Sequence, residues 1–298
     1  MRRPSLAALA SFAAIALYGA PAQAGPITFN TALPVHGGEV ILREQVIWRR
    51  ATGGPGPESA DENVLAVPTV IVWGIHTRVA LISQIPFLYK DVQLSLPSGA
   101  RAHRTTTGFG DLSTVLRVSA LQLDGPGRTL RLAPFAGLKL PTGAQNESDE
   151  LGRLPPRLQL GTGSWDPIFG LIATWQTLDF ELDASLSYNL RTAANDFDAG
   201  DEVRADLSFQ YRIFPFGDLE GGVPGFVYLV LESRVLWQAE DRGAVAPTPS
   251  GGWSWALAPG LQYVTMRYVI EGAVELPVTQ PDGLHDDFTA RLSFRASF

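Results

Sequence analysis

The last thirteen residues, DDFTARLSFRASF, alternate without a break. Phe288, Ala290, Leu292, Phe294, Ala296 and Phe298 fall on one parity, and Thr289, Arg291, Ser293, Arg295 and Ser297 on the other. Successive side chains of a strand point to opposite faces, so this is a strand with one wholly apolar face and one polar, charged face. A face of that kind has to be covered, either by a second sheet or by lipid.

The same alternation recurs along the chain. In DFELDASLSYNLR, Phe180, Leu182, Ala184, Leu186, Tyr188 and Leu190 oppose a row of charged and hydroxyl side chains, and DEVRADLSFQYRIF repeats the pattern. Similar segments lie near 38–50, 64–75, 77–88, 111–123, 128–140, 165–176, 226–239, 253–264 and 267–278. With the last strand they predict about twelve, an even number as in bacterial outer-membrane barrels, and their lengths match the roughly 9–11 tilted residues that cross a bilayer. Glu44 interrupts the apolar parity of the first strand. Pro68, Pro86 and Pro259 fall inside expected strands, where bulges or shifted boundaries are anticipated.

The connections separate two architectures. ATGGPGPESADEN, KDVQLSLPSGARAHRTTTGFG, PTGAQNESDELGRLPPRLQLGTG, TAANDFDAG, EDRGAVAPTPSGG and QPDGLHD are long; between them fall tight turns near Gly74–His76, Asp124–Arg128, Gln176–Asp179 and Thr265–Arg267. Only FPFGDLEGGVPG is longer than a turn needs. Long extracellular loops alternating with short periplasmic turns belong to a transmembrane barrel. A secreted β-sandwich also pairs an apolar face with a polar one but gives no reason for that alternation. Trp48, Trp73, Trp165, Trp175, Trp237, Trp253 and Trp255 lie near strand ends, as the aromatic girdles of a barrel do. The expected fold is therefore all-β: an antiparallel up-and-down transmembrane β-barrel of about twelve strands.

Export is written at the start. MRRPSLAALASFAAIALYGAPAQAG has Arg2 and Arg3, a short apolar run and Ala22-Gln23-Ala24, the pattern of a signal peptide cleaved after Ala24, leaving one domain over 25–298. No cysteine is present, which excludes disulfides and thiol chemistry. Losing Arg2 and Arg3 takes the formal net charge from −7 to −9, and no basic run remains, so no nucleic-acid partner is expected.

GFGDL at 108–112, LKLPTG at 138–143, LQLGTGSWDP at 158–167 and GDE at 200–202 occur in that order ahead of the terminal aromatic residue. Together they resemble the outer-membrane β-barrel "transporter" family named for the meta-pathway of phenol degradation. The likeness extends over most of the mature chain. It implies an outer-membrane barrel passing small, often aromatic or apolar, compounds. It also implies that Phe298 is the signal read by the barrel-assembly machinery.

The inward parity assigns a lumen lined by Arg117, Arg131, Lys139, Arg204, Arg212, Arg234, Arg267, Arg291 and Arg295 against Glu181, Asp183, Asp206, Glu232 and Glu271. Arg78, Arg191, Asp111, Asp179, Glu202 and Glu275 share it. Two nearly balanced signs predict mutual ion pairs in a narrow interior rather than a single-sign path for ions. The loop Pro141–Gly163, with Glu147, Asp149, Glu150, Arg153 and Arg157, is the candidate constriction. Partners expected are outer-membrane lipid and lipopolysaccharide, the assembly machinery and a small solute. No cofactor or metal is called for: NDFDAGDE misses the calcium-loop frame, with Gly200 fifth rather than sixth from Asp196. The alternatives are a sealed barrel with a structural or surface-binding role, or an outer-membrane lipid hydrolase. The latter needs a Ser–His constellation that His36, His76, His103 and His285 do not offer in sequence.

Overall fold

The computed structural model describes residues 24–53, 60–95, 101–215, 225–243 and 250–298. The expected leader lies outside them except for Ala24, as does most of FPFGDLEGGVPG. Twelve antiparallel strands close into a barrel. They are β1 (Val40–Gly53), β2 (Ala60–His76), β3 (Val79–Ser95), a broken β4, β5 (Arg128–Leu140) and β6 (Asp166–Thr177). After these come β7 (Phe180–Asn189), β8 (Glu202–Phe214), β9 (Phe226–Gln238), β10 (Gly252–Val264), β11 (Tyr268–Thr279) and β12 (Leu284–Ser297). The pieces of β4 are β4a (Arg101–Phe109), β4b (Leu112–Val118) and β4c (Leu121–Gly125). Each strand pairs with its chain neighbours, and β12 returns to β1 with Leu42 opposite Ala296 and Trp48 opposite Ala290. Phe298 completes the seam: it exchanges backbone bonds with Val40 at 2.9 and 3.1 Å.

Closure follows from the solvent. Hydrocarbon offers no hydrogen bonds, so every spanning N–H and C=O needs a strand partner. The outward parity is apolar and uncovered; Leu292 is 61% exposed, and Leu171, Leu229, Leu261 and Phe294 are likewise exposed. The apolar face of the terminal strand thus belongs to this outer belt. Trp48, Trp165, Trp253 and Trp255 lie exposed near the long-loop end and Trp73 and Trp175 near the short-turn end, with Trp48 edge-on to Phe288 at 4.9 Å. These are the two girdles.

Two segments read as loops from sequence are partly strand. β2 begins at Ala60, β3 runs on to Ser95, and β4a pairs with it from Arg101 to Phe109. The period-two pattern continues there: Val92, Ala102, Arg104 and Thr106 share the buried inner face, and Val92 packs on Leu154 and Leu158 of the following loop.

The prolines need no bulge. Pro68 faces Pro86 across β2–β3 in unbroken register. Pro68 lies where the β1–β2 ladder skips from Glu44–Thr69 to Ile47–Ala66, and Pro86 lies at the break in β4. Pro259 lies where β10–β11 skips from Leu257–Leu276 to Gly260–Ala273. Each residue without an N–H occupies a gap in one ladder, so no donor is missed.

Gly74 is fixed by close approach. It donates to the Glu39 carbonyl at 2.9 Å and accepts from Gly38 at 2.7 Å, and an added Cβ would lie 2.0 Å from the His36 carbonyl oxygen. Gly74→Ala is expected to cost about 1–3 kcal/mol through overpacking. A lower temperature for the heat-modifiable gel shift would register the loss.

Candidate functional site

The residues before β1 are inside the barrel. Residues 24–35 form an irregular strap crossing the short-turn half of the lumen, with Ile27 fully buried among Val230, Ala258 and Ala273. Ala32, also fully buried, sits between Ala133 and Ile172. A strap without a strand partner must find its backbone bonds elsewhere. The wall supplies them from side chains. Glu232 accepts from the Ile27 and Thr28 amides at 2.7 and 3.0 Å. Arg43 donates to the Pro26 carbonyl at 3.3 Å and also to that of Ile27, and Gln262 donates to that of Gly25 at 2.9 Å. Farther along, Thr174 accepts from the Ala32 amide at 2.8 Å. Arg117 donates to the Thr31 carbonyl and, at 2.8 Å, to that of Leu33.

The wall charges pair with one another. Glu271, 1% exposed, binds Arg43 at 2.6 Å and Arg295 at 3.1 Å. Asp206 and Glu275 link Arg204, Arg234 and Arg291 at 2.7–3.5 Å. Arg131 pairs with Asp124 and Arg212 with Asp179 at the short-turn rim, both pairs closing at 2.7–2.8 Å. Arg191 pairs with Glu202 at 2.5 Å. Glu181 and Asp183 are buried without an ion pair among the described residues; Gln176 donates to Glu181 at 2.6 Å, and Gln210 to Asp183 at 3.0 Å. Arg267 sits exposed in the turn between β10 and β11, outside the lumen to which its parity assigned it. β11 begins only at Tyr268, one residue after Arg267, so the inward alternation does not reach it.

Above the strap lies a chamber of about 310 Å³. One wall is apolar: Ile82, Val115, Phe135, Ile168 and Ile172, with Phe29 of the strap below. The other carries Ser185, Ser187, Asn189, Arg204 and Asp206. Phe135 can lie in the lumen because Gly170 is bare: a Cβ there would be 2.2 Å from the ring.

At the opposite mouth, the loop between β5 and β6 folds against the inner face of the β3–β4a hairpin. Lys90 donates to the Arg157 and Gln159 carbonyls at 2.8 and 2.6 Å, and Arg104 grips Asp149 through two bonds at 2.8 and 2.7 Å. Arg153 donates to the Gln145 carbonyl at 3.1 Å, while Glu147 and Glu150 are exposed. The Arg104 bonds hold the Asp149 carboxyl below its ordinary range. His103 binds Asp91 at 2.8 Å, His36 lies beside Glu39 at 3.2 Å and His76 beside Thr77 at 3.3 Å, and among the described residues no serine bonds a histidine.

Residues 67–277 match the family described as "Putative MetA-pathway of phenol degradation". The chain belongs to that family. No curated protein sequence matches it. In structure it is similar to the COG4313 outer membrane channel from Pseudomonas putida F1, with 17% identity and a TM-score of 0.66 over 93% of this chain and 100% of that one. It is also similar to the beta domain of the Bordetella autotransporter BrkA, with 13% identity and a TM-score of 0.47 over 88% and 100%. The first likeness agrees with a twelve-strand barrel of the outer-membrane type.

Three of the four motifs, GFGDL, LKLPTG and LQLGTGSWDP, meet at one knot on the mouth. Asp111 of GFGDL accepts from the Gly143 and Thr162 amides at 2.9 Å each. Lys139 of LKLPTG pairs with Asp166 of LQLGTGSWDP, and lies 3.5 Å from Asp111 and 3.2 Å from the Ser164 hydroxyl. The motifs thus tie both ends of the long loop to the break in β4.

Sequence reasoning missed the strap and its clamps Arg43, Thr174, Gln262 and Gln45, the last donating to the Ile27 carbonyl at 3.4 Å. Glu44 on the apolar parity obscured the inward row of β1. The local signal in the strap was weak: between Pro26 and Pro34 the alternation of Ile27 and Phe29 with Thr28 and Asn30 stops at Thr31, too short for a spanning strand.

Glu271→Gln leaves two buried guanidinium groups uncompensated and is expected to cost on the order of 3–5 kcal/mol. Urea unfolding followed by tryptophan fluorescence measures this; a triple change of Arg43, Glu271 and Arg295 to apolar residues should lose far less. A carboxylate with a depressed folded-state pKa contributes its stability above the unfolded value and loses it as pH falls through the folded one. The Arg104–Asp149 tie should therefore survive acidification to about pH 4 and fail only below it. Limited proteolysis of the loop around Leu151 against pH follows the release.

Proposed function

We propose that the chain, cleaved after Ala24 and inserted in the outer membrane, is a channel for passive or facilitated passage of small apolar molecules, aromatic ones included. The supporting observation is the apolar wall of Ile82, Val115, Phe135, Ile168 and Ile172 inside a lumen that period-two patterning otherwise makes polar. Leaving inward apolar side chains exposed to lumenal water costs free energy unless an apolar surface covers them. A solute with an apolar face does so in passing. Charged walls that neutralise one another add little drive for bare ions. Lipopolysaccharide around the girdles and the assembly machinery at Phe298 are the partners this reading assigns.

The strap favours a second reading, a barrel sealed at rest. The two readings part on one experiment. Planar-bilayer conductance and uptake of benzyl alcohol into liposomes are compared for the mature protein and for a variant lacking residues 25–35. Uptake by the mature protein, with a several-fold rise in conductance on removing the strap, is the expected result. A folded barrel that passes nothing in either form would sink the channel reading. Deleting residues 145–156 asks the same of the outer loop, where unchanged conductance would exclude it as the constriction.

A further inference from the structure

Arg117 borders two cavities. It lines the 310 Å³ chamber, and it also lines a crevice of about 60 Å³ on the opposite side of the strap. Phe29 and Asn30 of the strap, with Ile82, are common to both linings, so strap and guanidinium together form the partition. Among the described residues, the lumen-wall arginines 43, 204, 234, 291 and 295 are all in ion pairs. Arg117, 4% exposed, has no carboxylate partner there and spends its donors on the Thr31 and Leu33 carbonyls. A guanidinium binds a carboxylate through two parallel, charge-assisted bonds about twice as strong as neutral ones. A carboxylate that reaches Arg117 therefore competes with the carbonyls that hold the strap.

From this geometry we propose that the chamber is a binding site for small apolar monoanions, an aromatic or alkyl group bearing one carboxylate, and that their capture by Arg117 unlatches the strap. The ring or chain lies against Ile82, Val115, Phe135 and Ile172, while the carboxylate takes the guanidinium. Both features are needed. An inorganic anion gains nothing from the apolar wall, and a neutral arene gains nothing from Arg117. The ligand then favours the released strap by the difference between the two sets of bonds. The proposal rests on the chamber being the permeation route and adds the charge of the solute and the residue that reads it.

Because the chain has no cysteine, Ala32→Cys introduces a single thiol at a fully buried strap position. The variant is reconstituted in liposomes and labelled with a membrane-impermeant maleimide in the presence of benzoate, benzyl alcohol or acetate. Benzoate is expected to speed labelling about tenfold, the shift that a tenfold preference for the released strap produces, while benzyl alcohol and acetate leave it unchanged. In an Arg117→Gln background labelling should be fast without ligand and indifferent to benzoate. Should that variant fail the heat-modifiability assay, Arg117→Lys keeps the charge but not the fork and should show a weakened response. Benzyl alcohol uptake without any benzoate effect on labelling would overturn the latch and leave the channel standing. Equal acceleration by acetate would overturn the apolar requirement. Absence of uptake for every solute, with benzoate still accelerating labelling, would remove the channel reading and retain the site.

Discussion

Backbone hydrogen bonding in a medium that offers none governs this molecule. Within the bilayer each strand must be paired on both sides, so the first strand has to meet the last, and Val40 and Phe298 complete that seam. Once the ladder takes up the main chain, side chains are free to divide by parity, apolar outward and polar inward. The few residues that cannot serve the ladder are confined to its gaps. Pro68, Pro86 and Pro259 each stand where one neighbouring strand makes no demand on them.

The same requirement explains the lumen. The strap is main chain without a ladder, and the wall answers with carboxylate, amide, hydroxyl and guanidinium groups drawn from several strands. Those groups are themselves buried, which forces most charges into pairs and triads such as Arg43–Glu271–Arg295. The interior is therefore largely a network of paired charges and hydrogen-bonded side chains below a partly apolar chamber. Twelve strands permit this: fewer would be filled by wall side chains alone, and many more would leave a water column.

Fold was legible because it is periodic. A two-residue alternation as clean as that of Phe180–Leu190 or Phe288–Phe298 assigns both the element and its two faces, and alternating connection lengths orient the whole. The features that escaped are those without a period. Strap residues 24–35 carry their meaning only against Glu232 or Thr174, more than 140 positions away. Likewise Ile82, Phe135 and Ile172 were invisible as a lumenal wall, since an apolar residue on the polar parity looks like a lapse in the pattern until its neighbours are seen. The motifs at 108–112, 138–143 and 158–167 could be found as words, but their meeting at Lys139 is a property of the closed barrel.

The strap also sets an order of events. Its clamps Glu232 and Gln262 stand 205 and 237 positions along the chain from the amides and carbonyls they hold, and these are among the longest loop closures the protein makes. Contacts so remote in sequence form late, after the loop entropy has been offset by nearer pairings. The strap residues near the start of the chain are thus seated only once the strands near its end are in place, together with the β1–β12 seam that joins Val40 to Phe298.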